Sequence, residues 1–247
     1  MTDNHGRTRR TFLVCAAGTA PALLLSGCAG GKEQAAGTKP EGEKGGAREV
    51  LANEDLMREH GVLRRALLVF AEAASRLRRA PASVPPEALR DTARLFRTFG
   101  EDYHEKKLEE AFIFPALKGT KSPAAGYPDI LTAQHNRGRE ITDYVIAVTE
   151  AAKIGADAAT LASALESFAR MYEFHAARED TIVFPAWKEV VTDSQYDELS
   201  DKFEEIEHQE FGKDGFEDAV KKIGAIEESL GLGNLAQFTA PPPPSVK

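Results

Sequence analysis

The stretch FHAAREDTIVFP, residues 174–185, sets His175 and Glu179 four residues apart, just ahead of Phe184-Pro185. Four residues make about one turn of an α-helix, so the two side chains share a face. Upstream, Leu161, Leu165, Phe168 and Tyr172 fall on the same stripe, and Ile182 extends it. The steps alternate four and three, the seam of a helix packed in a bundle. A histidine and a carboxylate thus occupy positions on a core face. Polar groups there must be paired, hydrogen-bonded or bound to metal.

The pattern recurs some 70 residues earlier. YHEKKLEEAFIFP, residues 103–115, carries His104, acidic residues and Phe114-Pro115. A first helix has the stripe Leu56, His60, Leu63, Leu67, Phe70, Ala74, Leu77. A third has Leu131, His135, Gly138, Ile141, Val145, Val148. EHGVLRR (59–65) loosely matches QHNRGRE (134–140). Each half is therefore a helical hairpin with one histidine on its first helix and His, Glu and Phe-Pro on its second. Two such hairpins predict an all-α protein, an up-and-down four-helix bundle. Val, Ile and Thr never alternate over a strand length, and breaks fall near 81–86, 118–128, 155–157 and 192–194.

The two hairpins differ by one residue. Counting back from Phe-Pro, Glu109 matches Glu179, yet His104 and Glu109 are five apart. Five residues of regular α-helix turn about 500°, leaving the side chains roughly 140° apart. A π-bulge within 104–109 would realign them. Otherwise Glu105 or Glu110 takes the place of Glu109. In both hairpins the phenylalanine is expected to close an apolar wall and the proline to bend or end the helix.

Four imidazoles and two carboxylates then converge inside the bundle. Such a donor set suits iron, zinc or manganese, and two carboxylates, one per hairpin, can bridge two ions. A lone His60 or His135 reads as a hydrogen-bonded core histidine. Here four of the five histidines beyond the leader fall at matching positions of a repeat, and jointly they read as a metal site.

At these residues the chain resembles the hemerythrin-like, or HHE cation-binding, family, over about residues 53–190. The resemblance implies a non-haem di-iron centre held by His60, His104, Glu109, His135, His175 and Glu179. It implies reversible binding or sensing of O2 or a related small molecule such as NO or peroxide. The alternatives are a di-iron oxidoreductase, acting as a peroxidase or an NO or O2 reductase, and metal storage or delivery. Oxygen-carrying members have a fifth histidine one turn beyond the third-helix histidine; Arg139 stands there in this chain. His208 is an alternative ligand, although it falls off the stripe Tyr196, Leu199, Phe203, Ile206 of its own helix. Tyr103 and Tyr172, beside the site histidines, are candidates for hydrogen bonds that support the ligands. Glu59 and Glu207 read as solvated helix charges.

The organisation along the 247 residues follows. Residues 1–27 resemble a twin-arginine export signal, with Arg9-Arg10 before FLVCAAGTAPALLLS, a run too short for a comfortable membrane span. LSGC, residues 25–28, resembles the lipobox of bacterial lipoproteins, which implies a lipid on Cys28 and a membrane anchor in the cell envelope. Cys15 lies inside the signal, so no disulfide is expected beyond it. Residues 28–50 read as a flexible tether, 51–191 as the bundle, 192–232 as a helical extension packed on it, and 233–247 as a disordered Pro-rich tail. Without residues 1–27, which hold three arginines and one aspartate, the chain carries 28 basic and 38 acidic residues, net −10. That balance argues against nucleic acid as a partner. The oligomeric state is left open.

Overall fold

The computed structural model describes residues 50–150 and 154–245. The export signal, Cys28 and all of the tether but Val50 lie outside the described residues. Every regular element described is helical.

Helix α1, Ala52–Arg79, opens with Glu54 and Asp55 and closes with Arg76, Arg78 and Arg79, charges that complement the helix dipole. Its stripe from Leu56 to Leu77 is buried throughout. After a 3-10 turn at Pro81–Ser83, α2 starts with proline at its first position (Pro86–Leu95). It runs on through a π-wound stretch (Phe96–Ile113) into a last α turn (Phe114–Leu117). Helix α3 is Tyr127–Val148. Helix α4, Ala158–Arg178, continues through a π turn (Glu179–Val183) into Phe184–Val190.

These four rods form a closed ring, α1 against α2 and α4, and α3 against α2 and α4. One end of the core is a layer of aromatic edges. Phe168 meets Phe70 at 5.5 Å and Phe96 at 4.8 Å, and Phe96 meets Tyr172 at 4.8 Å. Neither Phe-Pro ends its helix at once, because each is preceded by a widened turn. The Phe114 N–H donates to Glu109 O and the Phe184 N–H to Glu179 O, five residues back. A proline in a tight α turn has no N–H to donate and collides with the carbonyl four residues before it. The wider turn removes that conflict.

Helix α5, Asp193–Phe211, begins with a capping box between Thr192 and Gln195 and ends at Gly212 in the left-handed region, φ 71°. Helix α6, Gly215–Ser229, starts at Asp214, whose side chain accepts from the Glu217 N–H. The pair straps the bundle. Tyr196 and Phe203 pack on Trp187 at 5.5 and 5.8 Å, and Phe203 meets Phe112. The Asn53 N–H donates to Tyr196 Oη, Arg65 pairs with Glu227, and Arg76 Nη1 donates to Leu230 O.

Glu207 corrects an expectation. It is fully buried rather than solvated, and its Oε1 accepts from the Phe216 N–H at 2.8 Å, closing the corner between α5 and α6. Within 233–247, expected as a disordered tail, Leu235–Phe238 forms a 3-10 turn capped by Asn234. No described helix is long and apolar enough to cross a membrane.

Gly138 of α3 makes room for the Tyr172 side chain. A Cβ there would lie 2.0 Å from Tyr172 Oη, whereas one at Gly61, on the outer face of α1, would meet nothing within 4 Å. Gly138→Ala should therefore destabilise by about 1–3 kcal/mol, and Gly61→Ala should stabilise by about 0.5–1 kcal/mol. Urea unfolding of the two variants checks the contrast; equal effects would contradict it.

Candidate metal centre

The structure brings the six residues together from all four rods. His60 comes from α1, His104 and Glu109 from the π stretch of α2, His135 from α3, His175 from the last turn of α4, and Glu179 opens the second π turn. All six are buried. The histidines pair through their inner nitrogens, His60 Nε2 to His104 Nε2 at 3.1 Å and His135 Nε2 to His175 Nε2 at 3.1 Å. Each carboxylate faces both pairs. Glu109 sets Oε1 3.3 Å from His104 and Oε2 3.4 Å from His135. Glu179 sets Oε1 3.0 Å from His175 and Oε2 3.5 Å from His60. The π winding lets His104 and Glu109 share a side although five residues separate them.

The outer nitrogens are all engaged. His60 Nδ1 lies 2.7 Å from Asp180, which also pairs with Arg64. His104 Nδ1 lies 2.6 Å from Glu59, whose other oxygen accepts from Tyr103 Oη. His135 Nδ1 lies 2.9 Å from Glu110, which also accepts from Arg139. His175 Nδ1 lies 2.9 Å from Gln134 Oε1. Every one of these partner atoms is an acceptor, so each Nδ1 carries the proton and a neutral ring turns a lone pair inward.

Four Nε2 lone pairs and four carboxylate oxygens then point at one another. The four oxygens of Glu109 and Glu179 are buried without any hydrogen-bond donor. Eight acceptors facing one another in a dry core need cations between them; Glu109, His135, His175 and Glu179 form one four-donor cluster and His60, His104 and Glu109 a second, with Glu179 Oε2 3.5 Å from His60. This donor set fits a pair of metal ions. Without metal, protons stand in. Burial alone would depress the ring of His104, but Glu109 and Glu59 outweigh it and hold the value well above that of an ordinary imidazole. Burial is likewise outweighed at His135, where Glu105, Glu109 and Glu110 raise the value to about 10.

Apolar groups enclose the set. Phe184 stacks on His60 at 5.4 Å and Phe114 on His135 at 5.6 Å, so the two Phe-Pro aromatics occupy equivalent places. A cavity of about 10 Å3, with room for about one water-sized guest, lies against His60, His104, His175, Glu109 and Glu179. Its far wall is Leu63, Leu67, Phe96 and Ala176, with Tyr172 and Glu105 beside them. Tyr172 Oη donates to Glu105 Oε1 at 2.7 Å, and Arg139 Nη2 reaches Glu105 Oε2 at 3.1 Å. Burial, and then the Glu105 charge, push the Tyr172 phenol well above its usual value.

The geometry distinguishes the three glutamates of the first hairpin. Glu109 faces the inner nitrogens, Glu110 an outer nitrogen, and Glu105 the phenol and the guanidinium. His208 is exposed on α5 and belongs to none of the metal-ligand clusters among the described residues. Glu59 is buried against His104, not solvated. Sequence reasoning passed over Asp180, Gln134 and Arg64 entirely. The repeat itself carries their signal. Glu59 and Gln134 each precede a seam histidine, Glu110 and Asp180 each follow a bridging carboxylate, and Arg64 and Arg139 each lie four residues past a seam histidine.

The profile of the hemerythrin HHE cation-binding domain matches residues 51–187, and again residues 128–230. The chain belongs to that family. The first match spans the four rods of the bundle. The second begins at α3 and reaches through α6, so the second hairpin of this hemerythrin-like chain is matched twice. Uncharacterized proteins of Mycobacterium bovis and Mycobacterium tuberculosis are each 41% identical over 233 residues, covering 94% of this chain and 90% of theirs. No solved structure matches the chain at a significant level.

Two outcomes follow for the hemerythrin-like centre. Glu109→Gln or Glu179→Gln puts an amide donor among the acceptors and removes one anionic donor from the set. Metal content after purification should fall in either variant; unchanged content would contradict the bridging role. The second outcome concerns pH. The stabilisation from a raised imidazole is complete below the ordinary value of 6.5 and is lost as pH rises through about 10. A bound cation needs the inner nitrogens free of protons, so its hold strengthens over the same window. The gap in Tm between metal-loaded and metal-free chain should widen from pH 6.5 upward. Calorimetry at several pH values checks this, and a narrowing gap would contradict it.

Proposed function

We propose that this chain is a dinuclear non-haem iron protein that binds or senses O2 or a related small molecule such as NO or peroxide. The observation that carries the reading is the cavity against both bridging carboxylates and three of the four imidazoles, sized for a very small guest. Iron held in this donor set would supply electrons to a small oxidant. His60 and His104 would hold one ion and His135 and His175 the other, with Glu109 and Glu179 available to both. Leu63, Leu67 and Phe96 keep bulk water from the cavity. Phe114 and Phe184 cover the rings of His135 and His60 on the other side.

The reading extends to place. The paired arginines of the leader and Cys28 support export by the twin-arginine route and a lipid anchor in the cell envelope. That route fits a protein loaded with metal before it leaves the cytoplasm.

A second reading, an oxidoreductase acting on peroxide, NO or O2, draws on the polar pair at the cavity wall. The Tyr172 phenol hydrogen lies beside the guest's place, held on Glu105. Anaerobic iron loading, metal analysis and visible absorption before and after oxygen test both. Two irons per chain with a reversible oxygen-dependent band support binding or sensing. Irreversible oxidation with rapid peroxide consumption supports the oxidoreductase, and there Tyr172→Phe should slow consumption by at least about 100-fold with iron content unchanged. Zinc, a single ion or no ion would overturn the di-iron reading.

A further inference from the structure

The outer partners of the four imidazoles obey the repeat except at one place. Asp180 on His60 and Glu110 on His135 are equivalent carboxylates, and each is matched by an equivalent arginine, Arg64 and Arg139. The remaining two partners are also equivalent by position, since each directly precedes a seam histidine and each accepts the Nδ1 hydrogen bond of its own hairpin's second histidine. One is Glu59, at 2.6 Å from His104; the other is Gln134, at 2.9 Å from His175. The two halves of the centre therefore differ by a full negative charge at one hydrogen bond. Glu105 adds its charge to the field at His135 but no hydrogen bond to that ring. It lies 3.9 Å from His135 Nδ1, outside hydrogen-bond reach, and is engaged by Arg139 and Tyr172 instead.

An imidazole whose N–H donates to a carboxylate is the more basic ligand at its other nitrogen, and changing such a partner typically alters metal affinity by roughly 10- to 100-fold. Both rings of the His60/His104 position have carboxylate partners, but only one ring of the His135/His175 position does. We propose that the two metal positions are unequal, that the His60/His104 position fills first and holds tighter, and that Gln134 is the positioning residue that weakens the other. The inference rests on the dinuclear reading and concerns affinity alone, so it holds whether the centre carries or turns over its small molecule.

The test is titration of the metal-free full-length chain with Co(II) under argon, followed by its visible bands and by competition with a chelator of known affinity. Two constants separated by roughly 10- to 100-fold are expected. Gln134→Glu should close the gap by tightening the weaker step, and Glu59→Gln should close it by weakening the stronger. A merely structural role would not move the two constants toward each other from opposite sides. If Gln134→Glu fails to fold, as judged by circular dichroism, Glu59→Gln carries the test alone. His135→Ala should keep the tight step and His60→Ala should lose it. Equal constants in the natural chain, a ratio unmoved by the folded variants, or a tight step lost with His135 would overturn the inference while leaving two metal positions standing. Uptake of one ion at most, at any concentration, would overturn the dinuclear reading and this inference together.

Discussion

Eight acceptor atoms face one another at the centre of this bundle with no donor among them. In water such an arrangement would be trivial. In a dry core it is strongly unfavourable unless cations or protons fill it. The rest of the fold works against the separation of those groups. Four rods must be held at fixed register, the two carboxylates must each look both ways, and the outer nitrogens must be locked as donors. The hydrogen bonds from Nδ1 do the last of these, for a ring free to flip would offer an N–H inward.

The two π turns belong to the same constraint. A widened turn rotates the following side chain relative to the one before it, and in the first hairpin it brings Glu109 round to His104. It also relieves the proline two residues on from each turn's end, so the aromatic before that proline stays helical and lies flat on a histidine. One local distortion thus aims a ligand and closes a wall.

Much of this could be read from the chain. Apolar stripes stepping by four and three gave the helices their faces, and Phe-Pro gave an origin from which Glu109 could be counted. What escaped was burial beyond the seam. Glu59 sits beside a seam histidine on α1, and a two-helix contact would leave it wet. But α1 is covered twice, by the bundle on one side and by α5 and α6 on the other, so its buried arc is wider than a seam. Glu207 is buried for a related reason, at a corner that exists only because α6 folds back. Periodicity reports the first layer of packing, and these residues answer to a second. His208 was drawn toward the site by its residue type alone, and its exposed position on α5 follows from the stripe it does not share.

The strap across α1 also bears on the order in which the chain can take shape. Asn53, Arg65 and Arg76 of α1 find their partners at Tyr196, Glu227 and Leu230, between 143 and 162 residues later. During synthesis α1 emerges first and waits longest. The α2 rod can pack on it early, while the helix that carries Glu59 and His60 still lacks the cover of α4, α5 and α6. These contacts are non-local, and non-local contacts form late. The folded unit is sealed from its C-terminal end.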